Sequence, residues 1–130
     1  EKGCLLIIKN YTGDRLNFGI AAEQARARYG VEVRTLFVRD DAALPGAPQP
    51  RGVAGTVLVE KFAGHLARAG RPLAEVAERS AAFLAGVATV GASLTTCTIP
   101  GAPRDPRLDG PWAELGLGIH GEPGAARVAL

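Results

Sequence analysis

The architecture turns on Cys4-Leu5-Leu6-Ile7-Ile8-Lys9-Asn10-Tyr11-Thr12-Gly13-Asp14 and its continuation to Val38. Cys4 to Ile8 is a short, unbroken apolar run, the pattern of a strand covered on both faces in a parallel sheet. Lys9 to Asp14 is a polar loop at its carboxyl end. The spacing of apolar residues then predicts a helix from about Arg15 to Tyr29, with Leu16, Ile20, Ala21, Ala25 and Tyr29 on one face. Asp14 or Thr12 is placed to cap it, and Gly30 to end it. Val31 to Val38 alternates and reads as the next strand. The result is a strand–helix–strand unit with a right-handed crossover. In such sheets ligands bind beyond the carboxyl ends of the strands, where Lys9 to Asp14 lies.

Downstream, Arg39 to Gly52 holds three of the nine prolines and two adjacent aspartates, and is expected to be a loop. Val53 to Ala69 resumes a helical pattern closed by Gly70. Pro72 opens a second helix, Leu73 to about Val87. Gly91 to Pro100 reads as a strand, and a final strand leads into His120 through Glu114-Leu115-Gly116-Leu117-Gly118-Ile119. Gly121-Glu122-Pro123-Gly124 after it can only be a turn. The fold expected is α/β, with a mostly parallel sheet and flanking helices followed by strands of a second, differently organised sheet.

The chain has 130 residues and 47% apolar content, enough for one core. A net charge of +2, scattered arginines and only 5% aromatic residues argue against nucleic acid. No run approaches the ~18 apolar residues of a membrane span, and the N-terminus lacks signal-peptide organisation. Cys4 and Cys97, far apart in apolar segments, read as buried thiols of a cytoplasmic protein.

Three polar side chains stand at predicted strand ends: Lys9, Asp14 and His120. Asp14 serves either as a helix cap alone or as an ionised carboxylate that holds, or takes a proton from, a substrate hydroxyl. His120, set between Ile119 and Gly121 and poorly shielded, suits a base, a nucleophile or a donor, or else a structural role. Lys9 is a substrate contact or a solvated loop lysine. His65 and the Glu60-Lys61 pair read as ordinary surface residues of a helix. No metal-ligand spacing and no nucleotide-cradling glycine motif is present. The residues alone therefore point to a small-molecule site at strand ends.

Several blocks resemble the substrate-binding (K) domain of dihydroxyacetone kinases. They are Leu5 to Asp14 with Leu16-Asn17-Phe18, Arg51 to Leu58, Cys97 to Pro100, and above all Gly118-Ile119-His120-Gly121-Glu122-Pro123-Gly124. They follow the family's order and span nearly the whole chain. The resemblance implies a kinase phosphorylating dihydroxyacetone (glycerone), with the ketone held as a covalent hemiaminal on His120. It implies that Asp14 binds the terminal hydroxyl and takes its proton, and that Lys9 contacts the substrate. The phosphoryl group, with ATP or ADP and magnesium, is expected on a separate nucleotide-binding (L) domain or subunit, none being bound by this chain. A homodimer through the K domain is expected too.

The resemblance covers the central portion of a K domain, residues 1–92 matching the later part of a first lobe and 93–130 the start of a second. An upstream Gly-Ser-Gly-His-Glu-Pro motif, whose histidine helps activate the ketone, is not matched, so this stretch alone is expected to be inactive. After Gly124, Ala125-Ala126-Arg127 departs from the consecutive arginines that relatives often show. The alternatives are a non-catalytic K-like ligand sensor or co-regulator, and a plain α/β binding domain with the same scaffold.

Overall fold

The computed structural model describes residues 3–98 and 100–130. Two strands, β1 (Cys4–Lys9) and β2 (Val33–Val38), pair in parallel from Cys4↔Val33 to Lys9↔Val38. Helix α1 (Thr12–Tyr29) connects them, which is the strand–helix–strand unit expected. Gly30 ends α1 in the left-handed region at φ 63°, its N–H bonded to the carbonyls of Ala25 and Arg26. Helices α2 (Gly55–Arg68) and α3 (Leu73–Leu84) follow, as the sequence suggests, with Pro72 at the start of α3.

The core lies where α2 and α3 cover the sheet. Val59, Ala63 and Leu66, spaced four and three residues apart, line one face of α2 and are buried. Ala63 and Leu66 pack with Val76 of α3, and Leu5 and Ile7 of β1 close over them with Phe62. Phe62 also stacks on Phe83 at 4.6 Å between ring centroids. Ile8 and Val38, at 1% and 0% exposure, are the innermost strand residues. Burial of each such side chain contributes about 1.5–3 kcal/mol relative to exposure.

The apolar face predicted for α1 is not the one it buries. Leu16 and Ile20 are 61% and 49% exposed, and Ala22 is the buried residue. Gly19, Ala22 and Ala25 form a less exposed stripe, with Ala22 the residue laid against the strands while the bulky side chains point away. The helix also begins at Thr12, three residues early. Its N-cap is Tyr11, without a side-chain capping bond, so neither Thr12 nor Asp14 takes that position.

The second sheet is antiparallel, in the order β3–β4–β5, built from Ala92–Ser93, Trp112–Leu115 and Ala126–Ala129. The strand expected over 91–100 is thus only two residues long, and Ile99 lies outside the described residues. Both cysteines are exposed rather than buried. Cys4 opens an outer strand end, and Cys97 lies in irregular chain. The strand expected to reach His120 stops at Leu115, because Gly116 turns the backbone at φ 71°. Strand β5 had no signal in the sequence. No helix among the described residues is long and apolar enough to cross a membrane.

Candidate ligand site at the end of the first strand

His120 is carried by a tight turn. The N–H of Gly121 donates to the carbonyl of Gly118 at 3.0 Å, and the N–H of Gly118 donates to that of Glu122 at 2.8 Å. This places His120 at the tip of a loop closed on both sides. Gly121 sits at φ 83°, a conformation that glycine adopts without cost. A Cβ at Gly118 would overlap the Glu122 carboxylate, which folds back over that backbone.

The folded-back carboxylate grips His120 twice. One oxygen accepts from the His120 backbone N–H and the other faces ring Nδ1, each at 3.0 Å. Burial pushes the Glu122 carboxyl up, but its own backbone N–H and the donors of His120 outweigh that, so its pKa falls below the ordinary value. An ionised carboxylate only accepts, so Nδ1 carries the hydrogen, and in the neutral imidazole the lone pair is on Nε2. The imidazole is itself exposed.

Two arginine–carboxylate pairs tie this loop to the scaffold. Arg51 Nε binds Asp41 at 2.6 Å, and its Nη2 donates to the carbonyl of Gly116 at 2.6 Å. Both partners are nearly buried, with side chains 11% and 4% exposed. On the far side, Arg107 donates to the carbonyl of Gly121 at 3.2 Å and lies 3.4 Å from Glu114. Glu114, 5% exposed, in turn accepts from the N–H of Gly124 at 2.5 Å. Both ends of the Gly116–Gly124 loop are thereby pinned.

Asp40 organises the opposite wall. It is 2% exposed and accepts from the N–H groups of Val53 and Gly55 at 2.8 and 2.7 Å, capping α2 from a distant loop. Thr89 donates its hydroxyl to the same carboxylate. Burial raises the Asp40 pKa, but Thr89 and the two backbone donors more than offset it, and the net shift is downward.

The structure brings the loop after β1 against His120. The rings of Tyr11 and His120 meet edge to face, with centroids 4.9 Å apart and planes at 87°. Burial raises the Tyr11 pKa, and the charges of Glu122, Asp41 and Asp14 push it further against the pull of Arg51. Asp14, in the first turn of α1, therefore shares the electrostatic neighbourhood of the imidazole pair. Lys9 lines an adjoining cavity of about 430 Å³ together with Asp41, Thr56, Gly116, Leu117 and Ile119. Of the three residues singled out in the sequence, His120 meets the loop after β1 through Tyr11, Lys9 lines the cavity that Ile119 also lines, and Asp14 acts on Tyr11 by charge. His65 is exposed on α2 and takes no part. Sequence reasoning missed Glu122, Tyr11 and the Asp41–Arg51 pair. The two-residue spacing of His120 and Glu122 across Gly121 was the available signal for the first.

All 130 residues match the Dak1 domain family. A dihydroxyacetone kinase of Citrobacter freundii is 51% identical over 98% of this chain and 23% of its own length. The crystal structure of the dihydroxyacetone kinase of C. freundii in its native form superposes with a TM-score of 0.92 at 50% identity, covering 98% of this chain and 24% of that one. The dihydroxyacetone kinase operon co-activator Dha-DhaQ superposes at 0.90 with 30% identity, over 99% of this chain and 40% of that one. The chain spans about a quarter of the length of the kinase it matches. A parallel sheet with helices, an antiparallel sheet carrying the histidine turn and a match along the whole sequence lead to one conclusion: this chain belongs to the Dak1 domain family.

Proposed function

We propose that this chain holds dihydroxyacetone for phosphorylation, as the substrate-binding part of a dihydroxyacetone kinase. The observation carrying this reading is the imidazole of His120, oriented by Glu122 and set against the loop after β1. The Nε2 lone pair adds to the ketone carbon while the carbonyl π pair moves to oxygen, which takes up a proton from solvent. The positive charge left on the ring faces the Glu122 carboxylate, which stabilises it or accepts the Nδ1 proton. The product is a hemiaminal. Selection against a polyol such as glycerol follows, because a molecule without a carbonyl cannot form that bond.

Asp14 is the base that takes the proton of the terminal hydroxyl as it attacks phosphorus, and Lys9 is a polar contact to the substrate. The Asp14 carboxylate, in the first turn of α1, benefits from the helix dipole in its ionised form. Phosphoryl transfer is chiefly alignment and charge stabilisation, so fixing the acceptor by a covalent bond supplies much of the catalysis. The phosphoryl group, its nucleotide and magnesium belong on a separate nucleotide-binding domain or subunit. Dimerisation through this domain, with residues 1–92 and 93–130 in different lobes and the whole in the cytoplasm, completes the reading.

The test uses the full-length protein with its nucleotide-bearing partner. Dihydroxyacetone labelled with carbon-13 at its carbonyl reports the trigonal-to-tetrahedral change directly. His120→Ala abolishes the tetrahedral signal and turnover together; a signal retained in this variant removes His120 from the role. The resemblance to the co-activator favours a second reading, a ligand-sensing co-regulator. That reading keeps the adduct but gives no turnover with any nucleotide-bearing partner.

A further inference from the structure

Asn10 and Tyr11 are neighbours at the end of β1, yet they meet different surroundings. The Tyr11 ring touches His120, whereas Asn10 lines a separate cleft of about 200 Å³ with Arg15, Phe37, Arg39 and Gln49. Two arginines and, among the described residues, no acidic side chain line this cleft. The nearby acids are engaged elsewhere. Asp40 caps α2, Asp41 pairs with Arg51, and Asp14 acts on the Tyr11 side.

The cleft is also rigid. Arg15 lies 5.1 Å from the centre of the Phe37 ring, and its Nη1 donates to Asn10 Oδ1 at 3.4 Å. Asn10, 4% exposed, donates through Nδ2 to the carbonyl of Pro50 at 2.7 Å. Gln49 Nε2 donates to the Asn10 carbonyl at 2.8 Å. Each amide nitrogen spends one of its two N–H donors within the protein, and Arg15 keeps guanidinium N–H groups beyond the one bonded to Asn10, as does Arg39. Like charges converging on one concave wall are unfavourable unless an anion lies between them. Arg15 also stands in the first turn of α1, whose dipole adds to the same sign of field.

We propose that this cleft binds a phosphate-type oxyanion. Arginine's planar fork matches phosphate oxygens, and the volume falls below the roughly 300–1,000 Å³ of sites that enclose a drug-sized molecule. The phosphoryl group to be transferred must reach the ketone on the Tyr11 side, so the occupant is a non-transferred phosphate of the nucleotide, or free phosphate. The nucleotide source rests on the proposed kinase function; binding of the anion itself does not.

The experiment titrates the full-length protein with inorganic phosphate by calorimetry, comparing wild type with Arg39→Gln and Arg15→Gln. Removing one charge-assisted contact weakens phosphate binding by about tenfold, and Arg39→Lys recovers part of it. Arg39 is exposed and makes no ion pair among the described residues, so its variant keeps the fold even if loss of the Arg15–Phe37 contact disturbs it. Phosphate binding that is absent in wild type, or equal in wild type and Arg39→Gln, overturns the proposal. Where binding is lost, turnover separates the sources. A raised KM for the nucleotide, with unchanged KM for the ketone, identifies the nucleotide's phosphate, and an unchanged nucleotide KM identifies free phosphate. Formation of the His120 adduct is read separately, so failure of the ketone site leaves this result interpretable.

Discussion

Glu122→Gln is the substitution that probes the site most sharply, because it changes charge without changing shape. The carboxylate accepts from two donors of the same residue, the backbone N–H and ring Nδ1 of His120, both at 3.0 Å. A primary amide has one acceptor oxygen and one donor nitrogen, so it satisfies only one of them. With its oxygen on the backbone N–H, its NH2 faces Nδ1, which must then be the acceptor. The ring hydrogen moves to Nε2, and the lone pair required for carbonyl addition is lost. A hydrogen bond to a charged group is worth about 1.5–3 kcal/mol when well shielded. The His120 and Glu122 side chains are 61% and 38% exposed, so solvent screening reduces this to roughly 1–1.4 kcal/mol. The adduct constant should therefore fall about five- to tenfold. Carbon-13 spectra of carbonyl-labelled dihydroxyacetone with the full-length protein measure that constant, and thermal denaturation should shift little. An unaltered constant in Glu122→Gln, with His120→Ala inactive, would refute the tautomer argument.

Arg51→Leu leaves the Asp41 carboxylate nearly buried without its partner and releases the carbonyl of Gly116. A cost of about 3–5 kcal/mol is expected in chemical denaturation, with Arg51→Lys intermediate. Gly118→Ala pushes the Glu122 carboxylate off the turn. Its signature is a weakened adduct with a smaller fall in melting temperature, since the added Cβ meets only Glu122, whose half-exposed side chain can swing away. The pH dependence follows from Asp40 and Glu122, whose folded pKa values are both lowered. Their stabilisation is complete above the ordinary values of 3.8 and 4.5 and is lost as pH falls through the lower folded values. Circular dichroism across acid pH should show wild type losing stability below about pH 4.5, and Asp40→Asn already weakened at neutral pH.

The parallel unit was legible because its signals are local: an apolar run, a polar loop, a glycine stop and a second run, each within a few residues. Helices α2 and α3 were legible for the same reason. The face of α1 was not, because apolarity alone does not tell a helix which side it lays on a sheet; here the small Ala22, 2% exposed, is the residue buried. Over 91–100 the β-branched residues fit a pleat and suggest a full strand, whereas among the described residues only Ala92 and Ser93 find a partner, opposite Leu115 and Glu114. Of the site, Lys9, Asp14 and His120 could be singled out by position at strand ends. Glu122 was passed over as turn material, and the Arg51–Asp41–Gly116 connection joins residues up to 75 positions apart, a pairing that no spacing reveals.

The hidden residues are the ones that make the visible ones specific. An exposed histidine on a glycine-rich turn is by itself a mobile group with two tautomers. Glu122 removes one tautomer, and Tyr11 sets the ring edge to face. Arg51 and Arg107 hold the carbonyls of Gly116 and Gly121, so the turn cannot drift from the loop after β1. The glycines give the backbone its sharp course, and the ion pairs supply the rigidity that glycines lack. Such division of labour predicts an asymmetry between two classes of variant. Loosening a strap, as in Arg107→Gln, should raise the ketone's KM and broaden the adduct resonance while leaving the tautomer unchanged. Altering Glu122 should lower the adduct constant without broadening. A single shared phenotype for the two would mean that the loop is positioned by something other than these arginines.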